Sequence, residues 1–85
     1  MTAICVDDEE LVMKLVVSLL GRLPDITETA GFTASDKALE WLGGHSAELA
    51  VLDIDMPDMS GIELALKIKE IRPEAEVIFL TVYDQ

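Results

Sequence analysis

Apolar residues follow two patterns that alternate along the whole chain. Short continuous runs rich in β-branched residues predict buried strands. Between these runs, apolar residues recur at the spacing of an amphipathic helix. The predicted strands are residues 3–6, 26–32, 49–54 and 77–82, and the predicted helices are residues 9–23, 35–42 and 61–71.

Proline and glycine residues mark the ends of the predicted helices. Pro24 ends the first helix and Pro73 follows the third, because proline cannot continue a helical hydrogen-bond ladder. Ser35 is the expected N-cap of the second helix, since its hydroxyl can accept from an unpaired N–H group. In the first helix, the expected apolar face lies opposite Lys14, Ser18 and Arg22, and it comprises Leu11, Val12, Leu15, Val16, Leu19, Leu20 and Leu23.

The order of these elements, β-α-β-α-β-α-β, predicts an α/β fold. Strands that are apolar on both faces and alternate with helices indicate a parallel sheet covered on both sides. In such sheets, ligands bind beyond the carboxyl ends of the strands. Polar residues stand at those ends. Asp7 and Asp8 end the first strand, residues 53–55 end the third, and Thr81 ends the fourth.

Carboxylates that converge at one edge of a sheet repel one another unless a cation or protons compensate. Their oxygen ligands suit Mg²⁺, which typically takes one or two carboxylates together with water and phosphate oxygens. The pattern therefore predicts a magnesium site that handles a phosphoryl group. Each piece alone also has a structural explanation. Residues 7–10 suit a helix N-terminus, Asp53 and Asp55 suit a turn before Pro57, and Thr81 suits a strand.

Three stretches of the chain resemble the receiver domains of two-component response regulators. They are Val6-Asp7-Asp8-Glu9, Leu52-Asp53-Ile54-Asp55-Met56-Pro57-Asp58-Met59-Ser60-Gly61, and Phe79-Leu80-Thr81. The middle stretch is the most specific, because Asp, Met-Pro and Gly stand at fixed offsets. The resemblance implies a flavodoxin-like, doubly wound parallel sheet with strand order 2-1-3-4.

The resemblance also implies a role for each residue at the acidic edge. Asp53 would be the phosphoacceptor, a carboxylate that takes a phosphoryl group from a histidine kinase. Mg²⁺ would be held by Asp8, Asp53 and the backbone carbonyl of Asp55, with Asp7 contributing directly or through water. Thr81 would contact the phosphoryl group and move with it. The chain would then be a signalling module and not an enzyme.

The length of the chain modifies this expectation. Receiver domains have about 120 residues, a common single-domain size, whereas this sequence has 85. We therefore expect one receiver domain over residues 1–85 that is incomplete at its C-terminus, with the fifth strand and the last two helices missing. Residues 81–85 resemble those that precede LytTR-type DNA-binding domains, which suggests a transcription regulator as the parent protein.

Composition excludes several other functions. The formal net charge is −11, and phosphate contacts need clustered Lys and Arg, so the chain itself is not expected to bind nucleic acid. No apolar run approaches the roughly 20 residues that span a bilayer. We expect a cytoplasmic chain without membrane contact.

Two alternative functions are consistent with the same residues. In strand order 2-1-3-4 the fourth strand is an apolar edge, and such edges pair with other chains. The chain could thus be an interaction fragment that no longer switches and forms a homo-oligomer through the fourth strand or the uncovered sheet face. The less favoured alternative is a haloacid-dehalogenase-type Mg²⁺ phosphatase, which also uses an Asp-x-Asp at a strand end.

Overall fold

The computed structural model describes residues 1–80, which form four strands and three helices in alternation. In chain order these are β1 (Thr2–Val6), α1 (Glu10–Leu20), β2 (Glu28–Phe32), α2 (Ser35–Leu42), β3 (Leu49–Asp53), α3 (Gly61–Ile71) and β4 (Glu76–Leu80). Thr81 and the residues after it lie outside the described part of the chain. None of the helices within residues 1–80 is long and apolar enough to cross a membrane.

The four strands form one parallel sheet with the order β2-β1-β3-β4. The predicted α/β class, the parallel sheet and the strand order are confirmed. In the centre of the sheet, Val6 of β1 lies opposite Phe32 of β2 and Leu52 of β3. Because all strands point the same way, the residues that follow β1 and β3 emerge at the same edge.

Within residues 1–80, two predicted boundaries differ from the structure by two residues or more, and one predicted cap is wrong. Helix α1 ends at Leu20 because the backbone then tightens into successive turns, in which the N–H of Leu23 donates to the carbonyl of Leu20. Strand β2 begins at Glu28 and not at Ile26, whose N–H is engaged in the same run of turns. Ser35 is the first helical residue of α2, and Ala34 occupies the N-cap position.

The two faces of the sheet differ in how much they bury. Helices α2 and α3 cover one face, which holds a cluster of fully buried side chains: Ile4, Val6, Ala38, Leu42, Ala50, Leu52, Leu64, Ile68 and Ala75. Helix α1 covers the other face, where the buried cluster among residues 1–80 comprises Ala3, Leu20, Ile26 and Val51. Side chains alternate between the faces along each strand, as the pleat requires.

Only part of the predicted apolar face of α1 is buried. Val16 and Leu20 pack into the core on the α1 face. Leu11, Leu15 and Leu19 form a separate stripe and are 84%, 59% and 51% exposed. The helix lies close to β2, where a Cβ on Gly31 would overlap the side chain of Met13. This contact turns one side of α1 to the sheet and leaves the leucine stripe beside it uncovered among the described residues.

The C-terminal end of α2 is packed by aromatic rings and tied to α3. The rings of Trp41 and His45 stack with their centroids 4.1 Å apart and their planes 2° from parallel. Phe32 lies 5.8 Å from Trp41 at a tilt of 56°. Arg72, at the end of α3, donates through Nε to the carbonyl oxygens of Leu42 and His45 at 3.1 and 3.0 Å. This end of α2 is therefore fixed at the edge where β3 begins.

Candidate functional site

Three carboxylates meet at the carboxyl edge of the two central strands. Asp7 follows β1 directly, Asp8 is the next residue, and Asp53 ends β3. Each offers an oxygen atom, and these oxygens all lie within 4.8 Å of one another. Asp7 is buried at 4% exposure, Asp53 is half-buried, and Asp8 is exposed. The cluster thus opens toward solvent on the side of Asp8.

Asp7 is held in place by hydrogen bonds on both its backbone and its side chain. Its N–H donates to the carbonyl of Phe32 at 3.0 Å, which extends the β1–β2 ladder by one residue. Its Oδ1 accepts from the N–H of Glu9 at 2.9 Å, just before α1 begins. A carboxylate at this position also interacts favourably with the positive, N-terminal end of the helix dipole. These contacts fix the position of a buried carboxyl group.

Burial and neighbouring negative charges alter the protonation of Asp53. The pKa of Asp53 is raised from 3.8 to about 6, first because burial disfavours its charged form. The N–H of Asp55 donates to Asp53 Oδ1 at 3.2 Å and partly offsets this rise. The charge of Asp7, together with a hydrogen bond and the charge of Asp8, raises the pKa further. The cluster therefore favours binding of a proton or a cation.

The same environment affects Cys5, which lies two residues before Asp7 along β1. Burial raises the pKa of this thiol to about 12, and the charges of Asp7 and Asp53 raise it in the same direction. Cys5 is fully buried. A thiol with this pKa is neutral at physiological pH and a poor nucleophile, so Cys5 serves as an apolar residue of the core.

A short loop connects Asp53 to α3 and requires glycine at its far end. The N–H of Gly61 donates to the carbonyl of Ile54 at 2.8 Å. A Cβ on Gly61 would overlap the backbone carbonyl oxygen of Asp53, so a larger residue would displace the strand end. Ser60 caps α3, since its hydroxyl accepts from the N–H of Glu63 at 3.1 Å.

The structure brings together three of the predicted site residues, Asp7, Asp8 and Asp53. The side chain of Asp55 is exposed and lies outside this group of three, while its N–H holds Asp53. The metal-binding role of the Asp55 carbonyl stays a prediction. Thr81 lies outside the described residues.

Sequence reasoning missed two residues that shape the surroundings of the site. One is Ser60, which the Ser-x-x-Glu pattern of Ser60 and Glu63 could have identified as a helix N-cap. The other is Asp58, whose carboxylate accepts from the N–H of Ser35 at 3.4 Å. No local pattern signals this second contact, because it joins residues 23 positions apart.

The donor set at this edge fits Mg²⁺. All three side chains offer oxygen atoms, the ligand type that Mg²⁺ prefers. One carboxylate is exposed, which leaves room for the water molecules that Mg²⁺ normally keeps. The pKa of Asp53 is raised first by burial and then by the charges of Asp7 and Asp8, which a cation would compensate. The residues that would hold the ion are Asp8 and Asp53, with Asp7 beside them.

Comparison with known proteins defines the class to which this fold and this acidic site belong. The family model of the response regulator receiver domain matches residues 3–85. The chain therefore belongs to the receiver domain family of response regulators.

Individual relatives agree with this family. The chain is 32% identical over 85 residues to the sensory transduction protein LytT of Enterococcus faecalis, covering 100% of this chain and 35% of LytT. It is 34% identical over 83 residues to the transcriptional regulatory protein UhpA of Escherichia coli, covering 98% of this chain and 41% of UhpA. The chain thus spans well under half the length of these relatives.

A solved receiver domain has the same fold. The beryllofluoride-activated receiver domain of DrrB, a Thermotoga maritima protein, superposes with a TM-score of 0.83 at 32% identity. The match covers 99% of this chain and 68% of the DrrB domain. The flavodoxin-like arrangement that the motifs implied is confirmed.

Proposed function

We propose that Asp53 is the phosphoacceptor of this receiver domain and that Mg²⁺ assists the transfer. The observation that carries the proposal is the cluster of Asp7, Asp8 and Asp53 at the carboxyl edge of β1 and β3. Receiver domains are phosphorylated by histidine kinases, so the proposed partner is a histidine kinase and the proposed compartment is the cytoplasm.

The transfer moves one phosphoryl group between two side chains. A carboxylate oxygen of Asp53 attacks the phosphorus of a phosphohistidine, the P–N bond breaks, and its electron pair returns to the imidazole. The new O–P bond makes Asp53 an acyl phosphate. The pKa of about 6 leaves Asp53 mostly ionised at pH 7, as a nucleophile must be.

Three ligand groups would hold Mg²⁺ during this reaction: the carboxylates of Asp8 and Asp53 and the carbonyl of Asp55, with Asp7 contributing directly or through water. A bound Mg²⁺ supplies positive charge for the phosphoryl oxygens and for the crowded carboxylates. Asp7 keeps its orientation through the N–H of Glu9. Gly61 lets the backbone of α3 approach the strand end without displacing Asp53.

Incubation with Mg²⁺ and acetyl phosphate, followed by intact-mass spectrometry, tests this assignment. We expect one phosphoryl group per chain, stable in acid, labile in base, and located on Asp53 by peptide mapping. Asp53→Asn should abolish the adduct, whereas Asp25→Asn, an exposed carboxylate remote from the cluster, should not. Continuous hydrolysis of the donor over many turnovers would support the phosphatase alternative and contradict the stoichiometric role.

We propose further that phosphorylation controls an attached output domain, in a transcription regulator. This proposal is supported by the family and by the names of LytT and UhpA, a sensory transduction protein and a transcriptional regulatory protein. The sequence that follows Gln85 in the gene tests it: a DNA-binding domain supports the proposal, and an enzymatic domain contradicts it.

The exposed edge of the sheet supports a second proposal, a homo-oligomer formed through β4. Among the described residues β4 pairs only with β3. Ile78 and Phe79 point to opposite faces and are 52% and 40% exposed. An apolar edge of this kind favours pairing with another chain. Sedimentation velocity should show association that increases with concentration and weakens in Ile78→Lys. A monomer at every concentration would contradict this proposal.

A further inference from the structure

Helix α2 begins without a capping side chain from the residue before it. Ala34 holds the N-cap position in an extended conformation, and its side chain provides no acceptor for a capping hydrogen bond. The first N–H groups of a helix have no partner within the helix and need acceptors from elsewhere. The N–H of Lys37 uses the carboxylate of the preceding residue, Asp36, at 2.9 Å. The N–H of Ser35 therefore depends on another part of the chain.

Asp58 supplies that acceptor from the loop between β3 and α3. Its Oδ2 accepts from the N–H of Ser35 at 3.4 Å. The hydroxyl of Ser35 donates to the sulfur of Met56, in the same loop, at 3.9 Å. Ser35 is fully buried, so water cannot easily replace these contacts. A carboxylate at this place also interacts favourably with the N-terminal end of the helix dipole.

The loop that contacts Ser35 also carries Asp55, whose carbonyl is the proposed Mg²⁺ ligand. Two hydrogen bonds fix the ends of the loop. The N–H of Asp55 donates to Oδ1 of Asp53 at 3.2 Å, and the N–H of Gly61 donates to the carbonyl of Ile54 at 2.8 Å. Among residues 1–80, Met56 and Asp58 hydrogen-bond outside this loop only to Ser35. The start of α2 is thus the third attachment of the loop.

We propose that Asp58 is a positioning residue for the metal site. By capping α2 at the N–H of Ser35, its carboxylate holds residues 55–58 in the path that lets the Asp55 carbonyl reach Mg²⁺. The inference rests on the metal site proposed above. It adds a residue whose side chain touches neither the ion nor the phosphoryl group, and it links the phosphoacceptor loop to a helix on the α2/α3 face.

Mg²⁺ titration of the 85-residue chain, by calorimetry and by amide NMR, tests the proposal. Asp58→Ala should weaken Mg²⁺ binding about threefold, a smaller loss than the roughly 10- to 100-fold typical of groups that contact metal ligands directly. Asp58→Asn keeps an oxygen acceptor and should bind Mg²⁺ within about twofold of the unaltered chain. This recovery by the conservative variant separates positioning from loss of charge.

Substitutions at Ser35 test the same contact from the helix side. Ser35→Pro removes the N–H donor at the first helical position, where proline is well tolerated. Ala34 is already extended, as a residue before proline must be. This variant should weaken Mg²⁺ binding as much as Asp58→Ala. Ser35→Ala keeps the N–H and should stay close to the unaltered chain. If Asp58→Ala does not fold, Asp58→Asn and the two Ser35 variants still decide the question.

A charge-matched control is Glu63→Gln, which removes one negative charge from the first turn of α3. It should leave Mg²⁺ binding nearly unchanged. The proposal is overturned if Asp58→Ala binds Mg²⁺ like the unaltered chain, or if Asp58→Asn is as weak as Asp58→Ala. A different result would contradict the metal site itself: an unaltered chain that binds no Mg²⁺, or one whose binding survives Asp53→Asn.

Discussion

The two faces of the sheet are built from similar residues but bury them to different degrees. On the α2/α3 face, large side chains such as Leu52, Leu64 and Ile68 are fully inaccessible to solvent. On the α1 face, the largest buried residues, Leu20 and Ile26, each keep 8% exposure, and Leu15 of the same helix is 59% exposed. Apolar composition alone therefore does not decide burial, because a helix buries only the side that another element covers.

The two faces also differ in role: one holds most of the hydrophobic core, and the other carries the acidic cluster. The α2/α3 face carries most of the buried apolar surface, which provides the larger part of the hydrophobic stabilisation. Asp53 alternates with Leu52 along β3 and so shares the α1 face with Val51. The loop after Asp53, however, is attached to α2 and α3. The well-packed face thus positions a site whose charged groups lie on the less covered side.

The largest expected effect comes from matched leucine substitutions on the two faces. Leu64→Ala on α3 should lower the free energy of unfolding by about 2–5 kcal/mol, because it leaves a cavity in a packed core. Leu15→Ala on α1 should change it by about 0.5 kcal/mol or less, as expected for an exposed position. Urea denaturation of both variants measures the difference. Equal losses would mean that the leucine stripe is covered in solution and that the contrast between the faces is wrong.

The next effect concerns the junction between α3 and the strand end. Gly61→Ala should cost about 1–3 kcal/mol, because the new methyl group must displace the Asp53 backbone. Gly44→Ala is the matched control, since nothing lies within 4 Å of a Cβ there. Thermal unfolding compares the two variants. If Gly61→Ala is as stable as Gly44→Ala, the backbone near Asp53 shifts at little cost, and the contact with Gly61 does not fix Asp53.

Mg²⁺ should stabilise the folded chain through the α1 face. At a free concentration ten times its dissociation constant, a ligand of the folded state adds about 1.4 kcal/mol. The unfolding temperature should therefore rise with Mg²⁺, and Asp8→Asn should reduce this rise. In the exposed control Asp25→Asn the rise should persist. A rise that survives in Asp8→Asn would show that the ion acts outside the acidic cluster.

The last comparison concerns the dependence of stability on pH. Because the pKa of Asp53 is about 6 in the folded chain, against an ordinary value of 3.8, the folded state binds the proton more tightly than the unfolded state. The contribution of Asp53 is thus most favourable below pH 4 and is lost as the pH rises toward 6. Without Mg²⁺, the stability difference between Asp53→Asn and the unaltered chain should grow in favour of the variant over this range. A difference independent of pH would contradict the raised pKa.

The strand and helix pattern was predictable because it depends on local periodicity and on the geometry of parallel sheets. The same geometry predicted that Asp7, Asp8 and Asp53 lie at one edge of the sheet, because the carboxyl ends of parallel strands meet there. The C-terminal end of α1 and the start of β2 were not predictable, since turn hydrogen bonds decide them. The exposure of Leu11 depends on whether another element covers that side of α1, and the helical spacing of apolar residues does not contain this information.

The cap of α2 shows a second limit of sequence reasoning. Ser35 has the composition of an N-cap, and a local rule places it there. In the structure the acceptor comes from Asp58, 23 residues further along the sequence. Ser35 is the first residue of the helix and not its N-cap, and it is buried. Differences in exposure between Asp7 and Asp8 have a similar origin, because they depend on how β1 pairs with both neighbours.

The ring stack at the end of α2 has a practical consequence for spectroscopy. Trp41 is the chain's single tryptophan, and α2, about 12 Å long from its eight residues, separates it from the edge that carries the acidic cluster. Its fluorescence should therefore follow unfolding, and should change little when Asp53 is modified. An optical signal for phosphorylation would need an indicator placed near the carboxyl ends of the strands.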